Sequence, residues 1–436
     1  MIYIYIPTVN ERIRYIFHYV FSERLGLPYT LLENKEDFDK NTAAEKMVYA
    51  TEYTGECLYV QAQPLLFEND IREQNVSISW ENDLPICFHT QSENSLLSFD
   101  IFAACFCFLS RYEEYLTTET DQHGRYKAEN SFAYKHNVLQ IALVDRWIAY
   151  FASVLKKHFP ALTIQTPSFR FIPTYDIDHA FLYKHKSCYL TFAGMCKQLL
   201  TGNFKALKTR IKVIINKIQD PYDTFSYLEN LHKKYNLQPI FFILFAKRSK
   251  YDKNNSIKNK KFTTLIQQLG KNTKIGIHAS YASDFSQNSC FEIEKNSLQQ
   301  ILSQSIQDNR QHFIRLKIPQ TYTSLIKSGI TNDYSMGYVS QIGFRAGTSF
   351  PFNFFDLKEN KTTSLRIHPF LFMENALLSL ENTSLESVWE AITPCLEEVK
   401  THNGQLVTLF HNPSFAEGNS IDFKSLYEKI IEFSLQ

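Results

Sequence analysis

The sequence predicts an α/β protein with a distorted (β/α)7–8 barrel in its C-terminal half and a smaller α/β domain ahead of it. Three observations predict this. From residue 169 onward, short apolar runs recur at helix-length intervals, the pattern of a parallel sheet or barrel. Polar, titratable residues close nearly all of these runs, as they do on the barrel face where side chains from different strands converge. A chain of 436 residues suits two domains, each long enough to bury a core.

The chain opens with an alternating strand at residues 3–6. Helical spacing follows through Ile13, Ile16, Phe17 and Val20 and stops at Gly26. A second helix is expected over 99–115, ending in Arg111-Tyr112-Glu113-Glu114-Tyr115, and a third over 144–159, closed by Pro160. The polar stretch 163–168 reads as a linker, which divides the chain into domains 1–165 and 166–436. Strands are then expected at 169–175, 239–245, 274–277, 313–316, 330–334, 365–370 and 406–410.

Composition excludes several classes. With 44% hydrophobic, 15% aromatic and 21% charged residues, the chain packs rather than remaining disordered. A net charge of +1 gives no overall steering toward nucleic acid, and no nucleic-acid partner is expected. The charge is uneven, however. Residues 179–219 hold eight Lys or Arg and no acid, and 247–261 hold seven against the single Asp252. Such runs suit a solvated face or, for segment 184–217, a peripheral membrane contact. The eight cysteines form no CxxC pair and sit mostly in apolar surroundings, as reduced thiols do. The first residues lack a basic and then apolar leader, and no run is long enough to span a bilayer. A cytoplasmic protein is expected, with the inner-membrane surface as the alternative location.

The chemistry lies at the strand ends. Thr174-Tyr175-Asp176-Ile177-Asp178 places two carboxylates at alternate positions, so they point to one side of the chain, one to ligate a cation and one to stay free as a base. A helix-capping turn is the plainer alternative. Gly276-Ile277-His278-Ala279-Ser280-Tyr281 puts an imidazole directly after a buried strand, with Ser280 in support. Leu409-Phe410-His411-Asn412-Pro413 suits a positioned general acid, its direction fixed by the Asn-Pro stop.

In this order and spacing, the three motifs resemble the first, second and fifth motifs of the polysaccharide deacetylase family, NodB-type carbohydrate esterases, over residues 169–436. The resemblance implies that Asp176 is the catalytic base, Asp178 and His278 are ligands of a divalent metal, and His411 is the acid. The family's second metal histidine falls on Ala282 here, so His312 or, failing it, His368 is the expected third ligand. Zinc is the expected ion, with cobalt or nickel as substitutes.

Asn332-Asp333-Tyr334-Ser335-Met336-Gly337-Tyr338, Gly343-Phe344-Arg345-Ala346-Gly347-Thr348 and His368-Pro369-Phe370 resemble a divergent branch of the family found in Bacteroidetes-type bacteria. Arg345 would orient Asp176 or grip a substrate anion, or else pair with Asp333 for stability. Ser280, Tyr281, Asp333, Tyr334, His368 and Asn412 would contact substrate. The first half resembles the uncharacterised domain that precedes that branch, in Arg111-Tyr112-Glu113-Glu114-Tyr115 and His123-Gly124-Arg125-Tyr126. Those residues suit an interdomain interface better than a glycan site.

The implied activity is metal-dependent removal of an N- or O-linked acetyl group from a glycan or a glycan precursor. Two alternatives stand beside it: an inactive carbohydrate-binding module on the same barrel, and a metal-free C–N hydrolase.

Overall fold

The computed structural model describes residues 1–74, 76–283 and 289–436. It is a mixed α/β protein built on two sheets. The first is fully parallel and has the order β2-β1-β3-β4, with β1 Ile2–Tyr5, β2 Tyr29–Leu32, β3 Lys46–Ala50 and β4 Leu58–Gln61. A small antiparallel pair follows, β5 Ser79–Glu81 and β6 Leu84–Ile86.

The remaining strands are β7 Arg170–Ile172, β8 Thr174–Ile177, β9 Ile240–Ile243, β10 Lys274–Ala279, β11 Asp308–Gln311, β12 Asn332–Asp333, β13 Phe352–Asp356, β14 Lys361–Ile367, β15 Gln405–Val407 and β16 Phe410–His411. Eight of them form one sheet in the order β13-β14-β12-β11-β10-β9-β8-β16, parallel except for β13, while β7 pairs with β15. Among the described residues the ladder does not join the two edges of this sheet, so strand pairing alone does not close the barrel that was expected. The antiparallel β13–β14 hairpin forms one edge. One core runs through both halves, from Ile4, Phe17 and Trp147 to Tyr175, Ile243 and Tyr427.

Local chemistry accounts for the elements and for where they depart from the expected boundaries. The helix Ile101–Leu109 starts at Asp100, whose carboxylate accepts from the backbone N–H of Phe102 and Ala103. It stops short of residue 115 because Arg111 adopts φ 53°. The helix Leu143–His158 lies close to expectation.

The strand expected at 313–316 is absent. The strand there is β11, one turn earlier, and its residues are all polar and all buried. Three of them find partners on other strands, Asp308 on Lys274, Asn309 on Asp333 and Arg310 on Asp176, so no apolar run marks it. The chain then breaks at Phe313 (φ 61°) and Ile314 (φ 52°), left-handed values that cost a branched side chain energy and require the surroundings to hold them.

Gly343 also has a positive φ, 146°, and a Cβ there would lie 2.4 Å from the Leu139 carbonyl. Only glycine lets this segment lie against the first half, where Phe344 N–H donates to that carbonyl. No helix among the described residues is long and apolar enough to cross a membrane.

Candidate metal and acid–base site

In β8 the even positions face inward. Tyr175 points out and its hydroxyl bonds His232 and Tyr427, each at 2.7 Å, whereas Thr174 and Asp176 point into the sheet's concave side. Register brings partners to the same level, with Asp176 opposite His411 and His278 opposite Arg310.

Asp178, His278 and His312 converge, with their ligand atoms all within 4.8 Å of one another. His278 Nε2 lies 3.3 Å from Asp178 Oδ1, and His312 Nε2 lies 3.4 Å from Asp178 Oδ2. The far nitrogens are tied down. His278 Nδ1 bonds the Arg310 carbonyl at 2.9 Å, and His312 Nδ1 bonds the buried Asp252 carboxylate at 2.9 Å. Such bonds fix each ring and leave Nε2 free for a metal.

Asp178 Oδ1 is buried and has no hydrogen-bond partner. Donor set and orphaned oxygen together fit a divalent ion with two imidazoles and a carboxylate. Burial works against charge on His312, but Asp178 and Asp252 outweigh it and push the ring up to about 9. The carboxylates that favour a proton there would equally favour a cation.

Asp176 sits beside this cluster, its Oδ2 3.7 Å from His278 Nε2. Its other oxygen accepts from Arg310 Nη1 at 2.9 Å. His411 Nδ1 bonds Glu374 at 2.9 Å, and its Nε2 lies 3.8 Å from Asp178 Oδ2. Burial would lower the His411 pKa, but Glu374 overrides it and pushes it up to about 10. A cleft of about 490 Å³ opens over Asp178, His312, Glu374 and His411, with Arg125 from the first half on its rim. The His123-Gly124-Arg125 loop is anchored there. Arg125 donates to the Phe313 carbonyl at 3.0 Å, and Arg315 donates to the His123 carbonyl at 3.0 Å.

Several expected substrate contacts lie elsewhere. Arg345 does not reach Asp176 or Asp333. It donates to both oxygens of Glu114 (2.9 and 2.7 Å) and to the Gly337 carbonyl at 3.1 Å, because its glycine-flanked segment docks on the first half. Asp333 is fully buried and spends its oxygens on Asn309 and Ser335. Tyr334 stacks on His368 at 4.4 Å, and His368 bonds Asn332 and Gln405, the first residues of β12 and β15. Both side chains are therefore engaged within the sheet. Asn412 is buried and ties the carbonyls of His179 and Tyr222 together. Ser280 caps its own turn, accepting from Ser283 N–H at 3.1 Å. Tyr281 gives its N–H to Asp252 and its hydroxyl meets His123 Nδ1 at 3.3 Å.

Three residues of the cluster carried little or no signal in the sequence. Arg310 stands in a polar strand that looked like a loop, Asp252 appeared only as the lone acid of a basic run, and Glu374 had no mark at all.

Residues 2–160 match the family of unknown function DUF7033. No curated protein matches the chain. Among solved structures, a Mycobacterium smegmatis protein provisionally assigned as a polysaccharide deacetylase is 13% identical, covers 62% of this chain and 88% of its own, and has a TM-score of 0.37. An allantoinase is 9% identical with coverages of 62% and 84% and a TM-score of 0.39. A polysaccharide deacetylase from Bacillus cereus is 10% identical, with 61% and 86% covered and a TM-score of 0.29. Likeness at this level is one of outline and assigns no reaction.

Proposed function

We propose that the chain is a metal-dependent hydrolase that removes an N- or O-linked acetyl group from a glycan or glycan precursor, with residues 166–436 as its catalytic unit and 1–165 as a domain packed on it. One observation carries the reading: two buried imidazoles, each fixed through Nδ1, aim Nε2 at a carboxylate whose Oδ1 has no other partner.

Asp178, His278 and His312 would hold a divalent ion, which when bound would polarise the acetyl carbonyl and make a water more acidic. Asp176 is the base. Arg310 occupies Oδ1 and leaves Oδ2 to take the proton of the attacking water. His411 is the acid. Paired with Glu374, it keeps its proton at neutral pH and delivers it from Nε2 to the leaving amine or alkoxide. Arg125 and Phe313 at the rim would meet the sugar.

Elemental analysis after chelation and reloading tests this. Near one equivalent of zinc, cobalt or nickel is expected, lost in Asp178→Ala, His278→Ala and His312→Ala, together with at least about a thousandfold of acetate release from acetylated oligosaccharides. Binding should weaken as pH falls, because protons compete with the ion for its ligands. No ion bound after soaking would overturn the metal-dependent reading. Stoichiometric metal without acetate release from N- or O-acetylated glycans would overturn the deacetylase.

A further inference from the structure

The geometry points to the helices Cys188–Leu200 and Phe204–Ile214 as a device that docks the protein on an anionic phospholipid bilayer. The first helix has no buried residue, although short helices usually owe their stability to an apolar face packed on a core. Its apolar side chains face solvent instead: Tyr189 is 78% exposed, Phe192 69% and Leu200 86%. With Leu199 they recur at helical spacing and form one stripe. The second helix continues it with Phe204, Ile211 and Ile214, and the chain beyond with Ile215 and Ile218, all exposed. More than half of the large exposed apolar side chains among the described residues fall between 189 and 218. That is a patch, not the ordinary scatter of a soluble surface.

The charge on the hairpin is of one sign. Lys184, Lys186, Lys197, Lys205, Lys208, Arg210, Lys212 and Lys217 meet no acidic residue between 179 and 219. Asn259 Nδ2 donates to the His185 carbonyl at 2.9 Å and Phe181 N–H to Asn255 at 3.0 Å, so the second basic run, 247–261, flanks the hairpin's base. A second copy of this chain covering the stripe would bring like charges together, with no acid between 179 and 219 to pair them. An anionic bilayer accepts both features, the stripe at the acyl boundary and the lysines among the headgroups.

The hairpin is also built to hold its shape. Arg210 packs its guanidinium against Gly194 and over the Tyr183 ring at 4.6 Å, and its Nε donates to Gln198 at 2.8 Å. Asp220 accepts from the backbone N–H of Leu182, Tyr183 and Lys184, each at 2.8 Å, and Asn412 joins the His179 and Tyr222 carbonyls. The two feet are thus locked together beside His411, and both His179 and Tyr222 line the cleft. Docking would hold that cleft near the headgroups. On the hydrolase reading, the glycan it receives would be anchored in the bilayer.

Co-sedimentation of the full chain with phosphatidylglycerol–phosphatidylcholine vesicles, and with pure phosphatidylcholine, tests this. Binding is expected to the anionic vesicles, with loss in molar salt. Lys205→Gln/Lys208→Gln/Lys212→Gln should lower partitioning about a hundredfold, and Leu199→Ser/Leu200→Ser/Phe204→Ser by at least as much. Both variants alter only exposed side chains, and should keep the parent's melting temperature and metal content. No sedimentation with either lipid, or variants that bind like the parent, would overturn the proposal. So would a concentration-dependent dimer in light scattering that the apolar triple variant abolishes. Metal content and acetate release from soluble sugars do not involve the hairpin, so failure here leaves the hydrolase reading to its own test.

Discussion

Arg310 and Arg345 are both buried and both paired with a buried carboxylate, yet their networks end differently. Arg345 and Arg111 converge on Glu114, both of whose oxygens are taken, and a backbone carbonyl takes another N–H. That network is closed. Arg310 donates to Thr174, to one oxygen of Asp176 and to the Tyr334 carbonyl, while its Nη2 has no partner and Asp176 Oδ2 faces His278. A closed network spends its polarity on holding two parts of the chain together. An open one keeps some for a ligand or a reacting proton, and unpartnered buried atoms are tolerated where function uses them.

Exchanging the two arginines for an apolar side chain should separate these roles. Arg310→Met is expected to lower kcat about a thousandfold while metal content stays near one equivalent, because His278 is oriented by the Arg310 backbone carbonyl and not by its side chain. Arg345→Met leaves Glu114 without its bidentate partner. It should cost about 3–5 kcal/mol of stability by chemical denaturation, with kcat of the folded fraction unchanged. If Arg345→Met lost kcat at full stability while Arg310→Met kept it, the comparison would be inverted and Arg345 would return to the reaction.

A smaller effect tests the acid side of the open network. Glu374→Gln keeps the shape but removes the charge behind His411, and about a hundredfold loss in kcat is expected. The His411 proton, held up to about 10 by Glu374 against the pull of burial, would leave at lower pH without that carboxylate. The alkaline limb of the rate profile should therefore move to lower pH in the variant. An unmoved limb with full kcat would place Glu374 outside the proton path.

The difference between the two networks also marks where the sequence could be read. Asp176, Asp178, His278 and His411 end apolar strands, and alternation or a strand–turn boundary predicts their direction. β11 defeats this reading because Asp308, Asn309 and Arg310 pair with polar residues of other strands and leave no apolar period to detect. Arg310 is invisible for that reason, and the strand was placed one turn late. His312 could be singled out only as a stray histidine near a strand, since its direction depends on two left-handed residues that no propensity favours. Arg345 misled because glycines on both sides look like a ligand loop, when Gly343 is there for the Leu139 carbonyl. Whether the sheet closes was equally hidden, since strand count and spacing are the same whether or not the edges meet.

His368 supplies the mildest test, since both of its ring nitrogens are already engaged. Its nitrogens are enclosed by Asn332 and Gln405, and burial, with Arg366 adding to it, lowers its pKa from 6.5 to about 3. A folded-state pKa below the unfolded one means the unfolded chain takes up a proton first as pH falls. Stability contributed by the neutral ring is whole above about 6.5 and is lost progressively toward 3, about 2 kcal/mol by pH 5. His368→Gln removes the titrating group while offering a similar polar reach to Asn332 and Gln405. Its unfolding free energy should fall less steeply than the parent's between pH 6.5 and 4, with kcat and metal content unchanged. A variant that tracked the parent's acid limb would show that His368 takes up its proton in the folded state as readily as in the unfolded one. A variant that lost metal or kcat would move His368 from the packing beneath the site into the site itself.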